Sequence, residues 1–230
     1  VDTRSLILEK TAELLAQSAT GEVSTRAVCE AAGVTQPVLY RLFGDKDGLL
    51  AATVDFVWEQ YLSMKRAATK SPDPLADLRS GWDSHVAFAL SHPHTYRLLF
   101  GTSLSTTPEA GAEAMRLLRV NLDRLAEQGR LRVAPDEAAR LVMAANSGVA
   151  LALLLRPHEY PDVSVSTVMR DVIHRAILAE EPGQADTGQA RFVAATTLRG
   201  GMGDAGLFSA GEVTLLDEWL ERIQVRHRPD

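Results

Sequence analysis

The sequence predicts an all-α protein. Apolar residues recur at three- and four-residue spacing along most of the chain, while alternating β-branched runs are scarce. Glycine, proline and short hydroxyl or carboxylate residues stand where helices should begin and end. Together these divide the chain into a small N-terminal unit of about three helices and a larger helical bundle.

The elements follow in order. A first helix is expected from about Asp2 to Ala19, with Ile7, Leu8, Thr11, Leu14 and Leu15 on its apolar side and Gly21 after its end. Ser24 is placed to cap a short second helix, with Val23 and Val28 as a hydrophobic staple and Gly33 just past its last turn. Thr35 can cap a third short helix that opens on Gln36-Pro37, since proline is tolerated in a first turn. Gly44 closes it. Asp45 can cap a long fourth helix through Leu49, Leu50, Val54, Val57, Tyr61 and Met64. The Ser71-Pro72-Asp73-Pro74 break precedes a fifth helix from Leu75 to Leu90, and a sixth carries Tyr96 to Phe100. A seventh runs from Pro108 to about Gln128, an eighth from Pro135 to Leu155, and a ninth from Ser164 or Ser166 to near Glu180. After a linker from Pro182 to Gly188, residues 189–199 and 209–225 read as two last helices around Gly200-Gly201-Met202-Gly203.

Composition narrows the function classes. The chain has 230 residues, 46% of them hydrophobic and 23% charged, which suits an ordinary globular protein of one or two domains. Its single cysteine, Cys29, permits no internal disulfide or cysteine-based zinc site and fits a reducing cytoplasm. No stretch has the organisation of a signal peptide. The longest apolar run, Leu141 to Leu155, falls short of the roughly 20 residues that a bilayer requires, so no membrane partner is expected. The first residue is Val1 rather than methionine, compatible with a short piece before it. The net charge of −6 argues against indiscriminate nucleic-acid coating. By position it divides into −2 for residues 1–50 (five basic, seven acidic) and −4 for the rest (19 and 23).

Residues 24–43 carry the most information. Two short helices joined by a turn at Gly33 form a helix-turn-helix layout. Val28, Ala32, Val34, Leu39 and Phe43 are spaced to fill the angle between them. That leaves Thr35, Gln36, Val38, Tyr40 and Arg41 for a DNA groove. Gln36 can pair with a base edge and Val38 can meet a thymine methyl. Thr35 and Tyr40 can donate to phosphate, and Arg41 can serve either purpose. Lys46 and the amides opening the fourth helix can face another phosphate.

Gly33-Val34-Thr35-Gln36-Pro37-Val38-Leu39-Tyr40, followed by Phe43, Lys46 and Leu49-Leu50, resembles the tetracycline-repressor (TetR) family of bacterial transcriptional regulators. The motif match covers about residues 4–50, and helix order agrees beyond it. Leu42 departs from it, standing where the family often has histidine. The resemblance implies a helix-turn-helix DNA-binding domain over residues 1–48 and a helical ligand-binding and dimerisation domain over 49–230. It places Thr25, Arg26, Thr35, Gln36, Pro37, Val38, Tyr40, Arg41 and Lys46 at DNA-contacting positions. It also implies a homodimer, built on the eighth and ninth helices, that reads a double-stranded palindromic operator and answers to a small-molecule effector.

Trp82, His85, Phe88, Tyr96, Phe100, Met115 and Asn146 are the candidate effector contacts, drawn from a wider set that includes Trp58 and Tyr61. Their mix suits a largely apolar ligand with His85 and Asn146 as polar anchors. No cofactor, metal site or catalytic residue is expected: His92 and His94 flank a helix break, and no phosphate-binding or nucleophile motif occurs. The expected function is a ligand-responsive regulator, most simply a repressor. The competing expectation is a helical ligand-binding protein or enzyme without DNA binding, which the −2 of the first 50 residues favours.

Overall fold

A computed structural model describes residues 2–101, 104–179, 187–202 and 208–226. Its regular elements are α1 (Thr3–Gln17), α2 (Thr25–Ala32), α3 (Gln36–Phe43), α4 (Lys46–Ala67), α5 (Pro74–Ser91), α6 (Pro93–Phe100), α7 (Ala110–Glu127), α8 (Pro135–Leu155), α9 (Ser164–Ile177), α10 (Thr187–Gly201) and α11 (Ala210–Arg226). By packing, the chain divides into two compact units. The first comprises residues 1–68, 85–114 and 150–161, and the second comprises 69–84, 115–149 and 162–230.

In the first unit, Ile7, Leu8 and Leu15 of α1 pack with Val28, Cys29 and Ala32 of α2, Leu39 of α3, and Leu49 and Leu50 of α4. Val34 and Phe43 lie half-buried against this cluster, as the inter-helix angle requires. Val23 and Val28 both belong to it, so the staple positions are filled by core residues. Ser24 accepts the Ala27 N–H at 3.1 Å. Gly33 has φ +64°, and its N–H turns back to the α2 carbonyls, the left-handed cap that ends α2. Thr35 occupies the N-cap position of α3, but its hydroxyl does not cap. Pro37 has no N–H to offer, and the Val38 N–H goes to the Thr35 carbonyl at 3.0 Å. On α4, Leu49, Leu50, Val54, Trp58, Tyr61 and Leu62 are buried, whereas Met64, expected on this face, is 61% exposed.

In the second unit, the start of α5 is held to the end of α7. Asn121 donates to the Pro74 carbonyl at 2.9 Å, and Arg124 pairs with Asp77 at 2.6 Å. Helix α9 ends at Ile177, earlier than expected, because the chain turns extended. Leu178 forms an isolated antiparallel bridge with Leu131, and Arg132 N–H donates to the Ile177 carbonyl at 2.9 Å. Gly200 and Gly201 belong to α10 rather than to a turn. A Cβ at Gly200 would meet the Ala126 methyl at 3.2 Å, so close packing on α7 accounts for that glycine. Of the predicted linker, residues 182–186 lie outside the described residues, as does Gly203 of the glycine-rich turn. Arg199 pairs with Asp217 at 2.7 Å and also donates to Gln224, fixing α11 on α10.

Helix α8 corrects the expectation drawn from the apolar run. Its 21 residues, with a mean hydropathy of 1.7 over the most apolar window, are long and apolar enough to cross a membrane by length and composition. The apolar run begins inside the helix, and the preceding turn supplies the missing length. Ala138, Ala139, Val142, Val149, Ala150 and Leu153 are buried within the chain, and 39% of that window is buried in all.

Candidate nucleic-acid interface and effector site

Helix α3 buries Leu39 completely and turns Gln36, Pro37, Tyr40 and Arg41 outward. Their spacing, i, i+1, i+4 and i+5, places them on one face of the helix. Val38 is half-buried at the edge of that face, and Thr35 is exposed before the first turn. Thr25 and Arg26 open α2, where Thr25 is half-buried and Arg26 exposed. The Thr25 and Tyr40 hydroxyls lie 3.5 Å apart, bringing the start of α2 to the middle of α3. Arg4 lies over the Phe43 ring, 5.4 Å from its centroid, and ties α1 to the end of α3.

Lys46 is exposed at the first position of α4. The amides around it offer an anion less than the sequence suggested. Asp45 Oδ1 already accepts the Gly48 N–H at 2.7 Å, and Asp47 adds a second carboxylate to the first turn. Asp47 in turn accepts the Ser105 N–H at 3.0 Å and its hydroxyl at 2.8 Å, and those bonds hold its carboxyl below the usual range. This tether from the loop after α6 to the start of α4 joins residues 58 positions apart, a pairing that no local sequence pattern signals.

The candidate effector residues fall in two groups. In the first unit, His85, Phe88, Tyr96 and Phe100 surround Trp58, with ring centroids 4.6–6.0 Å from its own. Tyr61 completes the cluster at 5.5 Å from Trp58. His85 Nε2 and the Tyr96 hydroxyl share a hydrogen bond of 2.8 Å. Burial lowers the His85 pKa to about 4, aided by the Lys65 charge, and burial raises that of Tyr96, so both are uncharged near neutral pH. In the second unit, Asn146 donates to the Trp82 carbonyl at 3.3 Å, and Trp82 Nε1 donates to Ser166 at 2.9 Å. His174 meets the Trp82 ring edge-on, and both of its nitrogens are buried without partners among the described residues. Met115 is half-buried on α7 in this unit. Sequence reasoning missed Ser166 and His174, which share only helical spacing with the core residues of α9.

A buried helix-turn-helix core, a capped left-handed turn and an outward polar face on α3 define a helix-turn-helix DNA-binding protein. Residues 7–53 match the bacterial regulatory proteins of the tetR family, and residues 78–200 match the tetracyclin repressor-like C-terminal domain. A relative in Mycobacterium tuberculosis, the HTH-type transcriptional regulatory protein RaaS, is 30% identical over 164 residues, 68% of this chain and 73% of that one. A TetR-family transcriptional regulator from Pectobacterium atrosepticum has a similar fold, with a TM-score of 0.61 and 21% identity over 77% of this chain and 95% of its own. The fold also matches a putative tetR-family regulator from a Shewanella species, with a TM-score of 0.60 and 17% identity over 78% of this chain and all of that one. The chain belongs to the TetR family and is a DNA-binding transcriptional regulator.

Proposed function

We propose that this regulator is a cytoplasmic homodimeric repressor that a small, largely apolar effector releases from a palindromic operator. Residues 1–48 read DNA, and residues 49–230 sense the effector and dimerise. The exposed face of α3 carries this reading: Gln36 and Arg41 reach base edges, while Val38 and Pro37 give apolar contact. Thr25, Arg26, Thr35, Tyr40 and Lys46 contact phosphates.

Support for the dimer comes from apolar surface left uncovered in the single chain. Val168 and Val172 of α9 are 63% and 47% exposed, and Leu141, Ala144 and Gly148 lie on one exposed face of α8. Two recognition helices in such a dimer would meet successive major grooves ~34–36 Å apart. The Trp58 cluster and the Trp82–Asn146 pair are the candidate sensing residues. An effector that binds a non-operator conformation better than the operator-binding one shifts the population and frees the DNA.

The test is selection of bound sequences from random DNA, followed by a salt titration and measurement of the mass of the complex. An inverted repeat bound by two chains, with affinity falling steeply as salt rises, is expected. No enriched sequence at low salt, or one chain bound to a single half-site, would overturn the reading.

A further inference from the structure

Trp58 is completely buried, yet its indole N–H has no acceptor among the described residues. A buried donor left without an acceptor keeps its full desolvation penalty, so such groups are uncommon and call for an explanation. None of the polar atoms on the ring neighbours of Trp58, namely Tyr61, His85 and Tyr96, accepts it. His85 Nε2 and the Tyr96 hydroxyl are bound to each other, and the rest of the shell is the rings of Tyr61, Phe88 and Phe100. Phe100 is only half-buried and forms the accessible side of the cluster. The shell therefore combines several aromatic faces with one uncommitted donor. None of its rings carries a charge that could balance an ion brought in from water, and transferring an unpaired charge into such surroundings is costly. Lys65, the cation beside the cluster, is engaged 5.3 Å over the Tyr61 ring.

The geometry points to an uncharged effector whose ring system enters the Trp58 cluster and whose one acceptor, a carbonyl or ether oxygen, takes the Trp58 indole N–H. This assignment rests on the effector-responsive reading above. His85, held neutral by burial, agrees with it. The position also suits signalling. Trp58 lies on α4 twelve residues after Lys46, about 18 Å along one helix axis. A ring inserted between Trp58 and Phe100 parts α4 from α6. His94 and Arg97 of α6 share a hydrogen bond beside Gly21, in the turn between α1 and α2, where an added Cβ would stand 2.6 Å from His94 Nδ1.

Four compounds of one skeleton test it: 1-tetralone, tetralin, 1-aminotetralin and tetralin-1-carboxylate. Affinity is measured by calorimetry on the full chain, and operator release by fluorescence anisotropy. Tetralone should bind about tenfold tighter than tetralin, and both charged analogues at least tenfold weaker than tetralone. Trp58→Phe should bring tetralone to within twofold of tetralin, whatever the change in tetralin affinity itself. In the unsubstituted protein, tetralone but not tetralin should also shift one indole N–H proton resonance downfield, a readout that does not depend on the variant folding. Tightest binding by the amine or the carboxylate, a preference for tetralone that survives Trp58→Phe, or no binding by any of the four would overturn the assignment. Trp58-dependent binding of tetralone with unchanged operator affinity would support the site and remove the effector-released repressor reading.

Discussion

The Thr25 hydroxyl at the start of α2 stands 3.5 Å from the Tyr40 hydroxyl in the middle of α3. Both groups therefore address one point beside the recognition helix, and a phosphate oxygen there could accept from each. Tyr40→Phe removes one donor while keeping the ring, which is 41% exposed and holds no core position. Each half-site loses one hydrogen bond of roughly 1 kcal/mol, so the affinity of the dimer for its operator should fall about thirtyfold. Unfolding by urea should be unchanged. Unchanged operator affinity in an anisotropy titration would remove Tyr40 from the interface.

Gln36 and Lys46 should fail in different ways. Gln36→Ala should cost roughly 1–3 kcal/mol per half-site of the selected operator and relax preference at one base pair in each, because it removes a base-edge contact. Lys46→Gln should weaken all sequences alike and reduce the slope of log K against log salt by about 2, because one phosphate contact is lost in each half-site. With Asp45 and Asp47 beside it, Lys46 is the favourable charge in that turn. A retained salt slope would show that Lys46 does not touch DNA.

Much of the first unit was legible in the sequence because its signals are local. Ser24, Gly33, Asp45 and the Gln36-Pro37 start each act within a few residues of themselves, and helix ends follow from them. The Thr35 cap failed for a local reason as well, since Pro37 removes one amide and the Thr35 carbonyl takes the next. The candidate effector residues were legible only as apolar helical positions. Periodicity places Trp58, Phe88 and Tyr96 inside, but it cannot tell that their rings converge or that one indole N–H lacks an acceptor. The Asp47–Ser105 tether and the His174–Trp82 contact are long-range, and nothing near either residue announces its partner.

Two glycines should respond differently to alanine. Gly33 has φ +64° and nothing within 4 Å of an added Cβ, so Gly33→Ala should cost about 1–2 kcal/mol through backbone conformation alone. Gly48 has ordinary helical geometry, but a Cβ there would lie 2.1 Å from the Phe43 carbonyl oxygen. Backbone must move to admit it, displacing the end of α3 from the start of α4. Gly48→Ala should cost clearly more than Gly33→Ala in urea unfolding and should also weaken operator binding. Equal destabilisation by the two would mean that the α3–α4 junction gives way easily.

Acid should destabilise the protein before its carboxylates titrate. His85 is 5% exposed, and burial holds its pKa at about 4, against 6.5 for an ordinary histidine; His174 is held near 4 for the same reason. In the unfolded chain both take up protons near pH 6.5, while in the folded chain they stay neutral. Between about pH 6.5 and 4 the unfolded state therefore binds more protons, and stability rises with pH across that window. It is fully present above about pH 6.5 and is lost as pH falls toward 4. For His85 the difference corresponds to on the order of 3 kcal/mol. The His85 ring-proton NMR shift should stay constant from pH 7.5 to 5.5, and the unfolding free energy should decline over the lower window. His85→Gln, which cannot titrate, should flatten that decline. A ring shift that titrates near 6.5 would show that the imidazole is solvated, and the pairing with Tyr96 would then have to be abandoned.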